Sequence, residues 1–202
     1  MAAFVKLNMT NTSPHWLTRN RSFERQVKNT APGGNVFLGD SLTEEFDLPY
    51  FFPQWPVINR GISGDHIDGL LKRVDTSVSL LKPSRLFIMI GINDIADGKN
   101  NAYILESYRK LIRSILEDDT PLIYIQSVLP TSPAIDRCPP GQITDLNRGL
   151  QKLTREYFLQ YIDLYTHFVK DAPWIDPDFT TDGLHLSKAG YTRWAEIIKV
   201  VV

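Results

Sequence analysis

A serine, an aspartate and a histidine in this sequence have the residue types and surroundings of a hydrolytic triad. Ser41 lies in the segment GDSL directly after an apolar run, and Asp182 and His185 open and close the segment DGLH. A serine hydroxyl becomes a nucleophile when a base removes its proton and a third group orients that base. We therefore expect Ser41 to be the nucleophile, His185 the base, and Asp182 the carboxylate that fixes the histidine tautomer.

Nucleophilic attack by a serine also requires hydrogen-bond donors for the negative charge that develops on the substrate. The N–H of Ser41 is one candidate, because it is expected at a helix N-terminus. Gly64, in the segment NRGISGD, offers a backbone N–H that can approach closely, and Asn93, in GIND, offers a side-chain amide. Ser41, Gly64 and Asn93 are therefore the expected oxyanion hole.

Five short apolar or β-branched runs can supply the strands that position these residues. They lie at 35–38, 56–59, 86–90, 122–128 and 161–165. All but one of them precede a segment with apolar residues at helical spacing. Strands that alternate with helices predict a parallel sheet covered by helices on both faces, which is a three-layer α/β/α architecture.

Apolar residues at three- and four-residue spacing predict four helices after the strands, and an amphipathic stretch at 16–29 predicts one before them. Ser187 is the expected N-cap of the last helix. The apolar stripes cover 67–78, 104–115, 143–157 and 191–198. We expect one domain over 1–202, in which 1–34 is an N-terminal extension with an extra helix.

Open parallel sheets place their ligands at the carboxyl ends of the strands, where the strand order reverses. In a five-stranded sheet of order 2-1-3-4-5, the loops after strands two and three flank the loop after strand one. That arrangement would bring Gly64 and Asn93 beside Ser41. The long loop after strand five would bring Asp182 and His185 to the same edge.

Four segments of the chain together resemble the four blocks of the GDSL or SGNH hydrolases, in the family's order. They are GDSLT at 39–43, NRGISGD at 59–65, GIND at 91–94 and DGLH at 182–185. NRGISGD and the stretch LHLSKAGYT are similar to members that resemble the catalytic subunits of intracellular platelet-activating factor acetylhydrolase. Asp94 departs from those subunits and is more similar to the wider esterases and lipases.

This resemblance implies a flavodoxin-like fold, no cofactor, and ester hydrolysis through an acyl-enzyme. It assigns Ser41, Asp182 and His185 as catalytic residues and Gly64 and Asn93 as oxyanion donors. The expected function is a serine esterase for short acyl esters, with acetyl esters first. A lysophospholipase or thioesterase of the same fold, and a non-catalytic binding or complex-forming member, stay as alternatives. The expected partner is a small-molecule ester, and the family likeness favours a homodimer.

Composition argues against several other classes of protein. The 22 basic residues nearly balance the 23 acidic residues, which argues against a nucleic-acid-binding face. No apolar run is long enough to span a membrane. The N-terminal segment MAAFVKLNMTNTS lacks the apolar region of a signal peptide, so we expect a cytoplasmic protein. Cys138 is the single cysteine, so it cannot form an internal disulfide.

Metal and nucleotide sites are weaker hypotheses for the same residues. A metal site built from Asp182, His185 and His66 would lack a second histidine or carboxylate pair at ligand spacing, so no metal is expected. The glycines at 61–69 match neither a dinucleotide fingerprint nor a P-loop. We therefore expect neither a nucleotide nor a metal cofactor.

Other polar and aromatic residues near the motifs have ordinary structural explanations. Asp40, Asp65 and Asp94 each lie in a turn, where an aspartate typically accepts hydrogen bonds from nearby backbone N–H groups. The aromatic residues within 46–55 favour core packing or a subunit interface over an acyl pocket. Cys138, flanked by prolines and without a marked basic cluster, is not expected to be a nucleophile.

Overall fold

A five-stranded parallel sheet forms the centre of the fold. The computed structural model describes residues 13–118, 121–171 and 173–201. The strands are β1 (Asn35–Gly39), β2 (Val57–Gly61), β3 (Arg85–Met89), β4 (Leu122–Gln126) and β5 (Gln160–Ile162). Their order is β2-β1-β3-β4-β5, and every neighbouring pair is parallel. The predicted sheet order and α/β class are confirmed.

Helices cover both faces of this sheet. In the described residues they are α1 (Pro14–Val27), α2 (Ser41–Glu44), α3 (Leu48–Phe51), α4 (Ile67–Lys72), α5 (Val74–Ser77), α6 (Ile92–Ala96), α7 (Asn101–Asp118), α8 (Pro140–Glu156) and α9 (Lys188–Val201). One apolar cluster contains side chains of α4 to α8, and a second contains side chains of α2, α3 and α9. The molecule therefore has three layers, with a hydrophobic core on each side of the sheet.

Strand β1 shows how the sequence builds both cores. Successive side chains of a strand point to opposite faces. Val36 and Leu38 belong to one core, whereas Phe37 belongs to the other, and all three are buried. In the second core, Phe37 stacks on Phe87 at a centroid distance of 4.4 Å, and Phe87 stacks on Tyr124 at 4.8 Å. Because both faces of β1 are buried, its sequence is a continuous apolar run, and this run is the feature that predicted the strand.

The apolar stripe at 67–78, which predicted one helix, forms two. Helix α4 ends at Lys72 and α5 begins at Val74, with Arg73 between them at φ −125°. The Arg73 side chain is fully buried, and its Nε donates to the carboxylate of Asp65 at 2.9 Å. The helix breaks here because this inward-pointing arginine leaves the helical conformation.

The aromatic residues within 46–55 pack mainly into the second core. Phe46 and Phe52 are buried, and the Phe46 ring lies 4.7 Å from that of Trp194 on α9. Tyr50, at 61% exposure, is the exception. The prediction of core packing is confirmed for Phe46 and Phe52.

Helix α1 contacts the first core only through Val27 at its C-terminal end. Its N-cap is Ser13, whose Oγ accepts from the N–H of Trp16, and its C-terminus is two residues earlier than predicted. The first twelve residues of the expected extension lie outside the described residues. Trp16 and Phe23 of α1 form a separate buried cluster with Ile62. The predicted N-cap at Ser187 is confirmed, because its Oγ accepts from the N–H of Gly190 at 3.2 Å.

None of the helices in the described ranges combines the length and the apolar character that crossing a bilayer would require.

Candidate active site

The carboxyl ends of β1, β2 and β3 lie at one level of the sheet. Gly39 is the register partner of Gly61 on one side and of Met89 on the other. The chain leaves all three strands there, and the N–H of Ile62 donates to the carbonyl of Gly39 at 3.1 Å. The three loops that carry the candidate residues therefore start side by side.

Ser41 is the first residue of the single-turn helix α2. The carboxylate of Asp40 caps this turn by accepting from the N–H of Leu42 at 3.1 Å. A Cβ at position 39 would clash with the side chain of Thr43 and with the carbonyl of Met89. Glycine at 39 thus lets α2 fold back tightly over the strand end, and this turn positions Ser41.

The structure brings Ser41, His185 and Asp182 into one hydrogen-bonded chain. The Nε2 of His185 lies 3.1 Å from the Oγ of Ser41, although the two residues are 144 positions apart. The Nδ1 of His185 lies 2.7 Å from the Oδ2 of Asp182. These distances match those expected of a nucleophile, a base and the group that orients the base.

The carboxylate of Asp182 also holds the backbone of its own loop. Its Oδ1 accepts from the N–H groups of Leu184 and His185 at 2.9 and 2.7 Å. Burial works to raise the pKa of Asp182, but the hydrogen bonds from His185 and these N–H groups lower it to about 2. Asp182 is therefore ionised at neutral pH, which favours the tautomer with the proton on Nδ1 and a free Nε2 facing Ser41.

Neighbouring segments hold the loop that carries Asp182 and His185. The carbonyl of His185 accepts from the N–H of Thr181 at 2.9 Å and from the hydroxyl of Thr180 at 2.8 Å. Gly183 has φ +92°, and a Cβ there would clash with the side chain of Ser132. The close turn that this glycine permits places the histidine over the end of β1.

The loop after β2 presents Gly64 in a left-handed conformation, at φ +75°. The side-chain amide of Asn93, from the start of α6, donates to the carbonyl of Asp65 at 2.9 Å. Asn93 therefore contacts the loop that carries Gly64. Over the described ranges, neither the N–H of Ser41 nor that of Gly64 donates a hydrogen bond within the protein. Both N–H groups are free to bind another acceptor.

A buried arginine that the sequence analysis did not identify connects these loops. The guanidinium of Arg73 donates to the carboxylate of Asp65 at 2.9 Å, to the carbonyl of Arg60 at 2.9 Å, and to that of Gly39 at 3.1 Å. Burial raises the pKa of Asp65, and the contacting Arg73 opposes that rise. An arginine inside an apolar helical stripe is the sequence signal that could have revealed this contact.

Asp40 and Asp65 accept N–H groups of residues nearby in the chain, as predicted. Asp94 instead lies on α6 and accepts an N–H from a residue 27 positions away. Asp65 accepts from the N–H of His66 at 3.0 Å, and Asp94 accepts from that of Ile67 at 3.0 Å. The other carboxylate oxygen of Asp94 accepts from the Nζ of Lys99 at 2.8 Å. Burial raises the pKa of Asp94, and Lys99 opposes that rise. Asp94 thus connects the start of α4 to α6.

Asp40 is the fully buried carboxyl beside Ser41, and burial raises its pKa from 3.8 to about 7. In the unfolded chain it titrates near its ordinary value, so the folded protein loses stability as the pH rises between these two values. A pKa difference of about 3 units between the folded and unfolded states corresponds to a loss of about 4 kcal/mol in folding stability once the pH is above both values. Asp40→Asn keeps the size and the capping oxygen but removes the titration.

We therefore expect Asp40→Asn to become more stable relative to the wild type as the pH is raised from 4 to 8. Urea unfolding of both proteins across this pH range measures the difference in free energy. Identical pH dependence in the two proteins would contradict a titrating Asp40.

His66 and Cys138 lie apart from the hydrogen-bonded chain of Ser41. The Nε2 of His66 is 2.9 Å from the Oδ2 of Asp97, which directly follows α6. Cys138 is buried, and burial raises the pKa of its thiol. Among the described residues, no three histidine, cysteine, aspartate or glutamate side chains are placed to hold a metal ion.

Two cavities border the residues of this site. A space of about 10 Å³ is lined by Asp40 and by apolar residues that include Leu42, Ile92 and Leu184, the chain neighbours of Ser41, Asn93 and His185. A separate cleft of about 450 Å³ is lined by Asp182 and by residues that include Trp174. The first space is small and apolar, and the second is open to solvent.

Comparisons with known proteins find chains of the same fold. A protein from Streptococcus pneumonia whose description names platelet activating factor shares 25% identity at a TM-score of 0.84, with 92% of this chain and 93% of that chain covered. A lipase/acylhydrolase from Enterococcus faecalis shares 25% identity at a TM-score of 0.71, with 82% and 93% covered.

An acetyl-xylooligosaccharide esterase from Geobacillus Stearmophilus, solved as a mutant, shares the fold at 19% identity and a TM-score of 0.66, with 83% of this chain and 93% of that chain covered. A search of curated proteins gave no match. The family model for GDSL-like lipases and acylhydrolases matches residues 28–193, which include all four motif segments. This chain belongs to the GDSL-like lipase/acylhydrolase family.

Proposed function

We propose that this protein is a serine esterase that hydrolyses short acyl esters, acetyl esters first, through an acyl-enzyme. Family membership implies a hydrolase. The observation that carries the proposal is the continuous chain from the Oγ of Ser41 through the ring of His185 to the carboxylate of Asp182. The same contacts argue against a non-catalytic binding protein, because every part needed to activate the serine is in place.

In the first step, the Oγ of Ser41 attacks the carbonyl carbon of the ester while the Nε2 of His185 accepts its proton. Asp182 stabilises the imidazolium that forms. The negative charge moves to the carbonyl oxygen, where the free N–H groups of Ser41 and Gly64 and the amide of Asn93 are the proposed donors. Each donor is within a loop that starts at the same level of the sheet.

The tetrahedral intermediate then collapses, and the bond between the carbonyl carbon and the alcohol oxygen breaks, which completes acylation. The alcohol leaves with the proton from the Nε2 of His185, and the acyl group stays on the Oγ of Ser41. Water then attacks the acyl carbon while the Nε2 of His185 takes a proton from it. The bond between the acyl carbon and the Oγ of Ser41 breaks, His185 returns that proton to the Oγ, and the acid is released. The protein returns to its starting protonation state, and the balance is one water consumed per ester.

The preference for a small acyl group is supported by the apolar space of about 10 Å³ beside the site. A space of this size holds about one water molecule or one methyl group. Its walls include Leu42 and Ile92, which are buried. One solved structure of the same fold is an esterase that acts on acetylated xylo-oligosaccharides. Acetyl esters are therefore the first substrates to test.

A p-nitrophenyl ester series tests this proposal directly. We expect kcat/KM to be highest for the acetate and to fall by about 10-fold or more for the octanoate, because a closed pocket rejects added methylenes. Ile92→Ala enlarges the space and should shift the maximum to a longer chain.

A wild-type maximum at octanoate would instead indicate a lipid esterase or a thioesterase. If no ester is hydrolysed by the folded protein, the esterase proposal is wrong and a binding function becomes the better hypothesis.

A further inference from the structure

Helix α1 contacts the loop that presents Gly64, and its buried residues Trp16 and Phe23 lie in a cluster separate from the two main cores. Trp16 is 7% exposed, and its indole N–H donates to the Oδ1 of Asp65 at 3.1 Å. Asp65 directly follows Gly64 in the chain, and its carbonyl accepts the side-chain amide of Asn93 at 2.9 Å. Trp16 thus binds the residue that lies between two of the proposed oxyanion donors.

A second contact connects α1 to the same loop through Glu44 on α2. The N–H of Ser63 donates to the Oε2 of Glu44 at 2.5 Å, and the Nε2 of His15 lies 3.0 Å from the same oxygen. The guanidinium of Arg19 lies 3.1 Å from the other carboxylate oxygen of Glu44 and donates to the carbonyl of Gly61 at 3.0 Å. The loop is therefore held on both sides of Gly64 by groups that α1 binds.

Further contacts of α1 are made by Gln26, whose Oε1 accepts from the guanidinium of Arg60 at 2.7 Å, and by Phe23, which lies among three arginines. The guanidinium carbons of Arg60, Arg19 and Arg73 are 4.5, 5.0 and 5.7 Å from the centre of its ring. Such cation–π contacts are each modest in strength. Two nitrogens of the buried Arg60 guanidinium have no partner in the described residues.

We propose that Trp16 is a positioning residue, which holds Asp65 so that the Gly64 N–H and the Asn93 amide stay aimed at the oxyanion. This inference rests on the proposed esterase function. Asp65 keeps its ion pair with Arg73 when the indole N–H is lost, so the core of the network survives. What changes is the direction of the carboxylate and of the backbone that follows Gly64. Small displacements of this kind reduce turnover more than substrate binding.

The test is Trp16→Phe, which keeps an aromatic ring in the apolar cluster and removes the hydrogen-bond donor. We expect kcat for p-nitrophenyl acetate to fall by about 10-fold or more, with KM changed by less than about twofold. The inhibition constant of 1,1,1-trifluoroacetone, which forms a tetrahedral adduct with an active-site serine, should rise by a similar factor. A smaller fraction of folded enzyme would also lower the apparent kcat at unchanged KM, but it would not raise this inhibition constant.

Trp55→Phe is the matched control, because Trp55 is half-buried and its indole N–H makes no hydrogen bond within the described residues. It should leave kcat and the inhibition constant unchanged. Hydrogen exchange of the peptide over 62–66 gives a second measurement that does not depend on activity. We expect faster exchange in Trp16→Phe and no change in the peptide over 35–39.

Unchanged kcat and unchanged exchange in Trp16→Phe would overturn the positioning role while leaving the esterase proposal standing. An equal loss in Trp55→Phe would also overturn it. Failure of the wild type to hydrolyse any ester would overturn the esterase proposal and this inference with it, so the two failures are distinguishable.

Discussion

Ser41→Ala is expected to reduce kcat for p-nitrophenyl acetate by about 10⁴-fold or more while the protein stays folded. Removal of the nucleophile in a serine hydrolase leaves only the catalysis that the oxyanion donors and substrate binding supply. Within the described residues, the Oγ of Ser41 forms a hydrogen bond only with His185. Removal of this hydroxyl therefore breaks no hydrogen bond that holds the fold. Steady-state kinetics together with thermal unfolding would measure both effects.

Ser107→Ala provides the matched control, because Ser107 is also a buried serine but lies on α7, away from the strand ends. It should keep wild-type kinetics. Esterase activity retained by a clean preparation of Ser41→Ala would show that another residue is the nucleophile.

Asn93→Ala is expected to lower kcat by about 100-fold to 1000-fold, with a much smaller change in KM. The reason is that an oxyanion donor interacts with charge that exists in the transition state and not in the bound ester. The amide of Asn93 also donates to the carbonyl of Asp65, so the variant additionally loses one hydrogen bond within the protein. Initial rates over a range of p-nitrophenyl acetate concentrations separate kcat from KM.

Asn101→Ala is the control that separates loss of the oxyanion donor from loss of a hydrogen bond within the protein. The amide of Asn101 likewise donates to one backbone carbonyl, that of Gln142 at 2.9 Å, but on α7 and α8. If Asn101→Ala is active and Asn93→Ala is not, the loss at position 93 is specific to the site. A change confined to KM in Asn93→Ala would argue against an oxyanion role.

Much of the fold follows from the sequence because the strands are buried on both faces. Such strands are short apolar runs, and the helices between them carry apolar stripes, so both signals are visible in a single sequence. The positions of the candidate residues follow too, since each lies in a loop after a strand. For this reason Ser41, Gly64, Asn93, Asp182 and His185 could all be assigned to one edge of the sheet.

The fifth strand is shorter than predicted. The apolar run at 161–165 indicated a strand to Tyr165, but β5 ends at Ile162. The hydroxyl of Ser127 accepts from the N–H groups of Leu164 and Tyr165 at 2.8 and 2.7 Å, which draws this backbone away from strand pairing. Strand propensity is a local property, so it cannot show that a side chain from another part of the chain binds this backbone.

The buried polar network could not be predicted for a related reason. Trp16 and Asp65 are 49 positions apart, and Gly39 and Arg73 are 34 apart. Periodicity and turn chemistry are local signals, so they classified Asp65 as a turn residue and Trp16 as part of an amphipathic helix. Only the folded chain shows that these residues support the site together.

The large separation between Ser41 and His185 has a consequence for how the protein acquires activity in time. Ribosomes synthesise a chain from its N-terminus at about 5–20 residues per second. The 144 positions between the two residues therefore delay the histidine by several seconds or more after the serine has emerged. Throughout that interval the nascent chain carries a serine without its base. Catalytic competence is then gained in one late event, so activity reports completion of folding and not merely formation of the central strands.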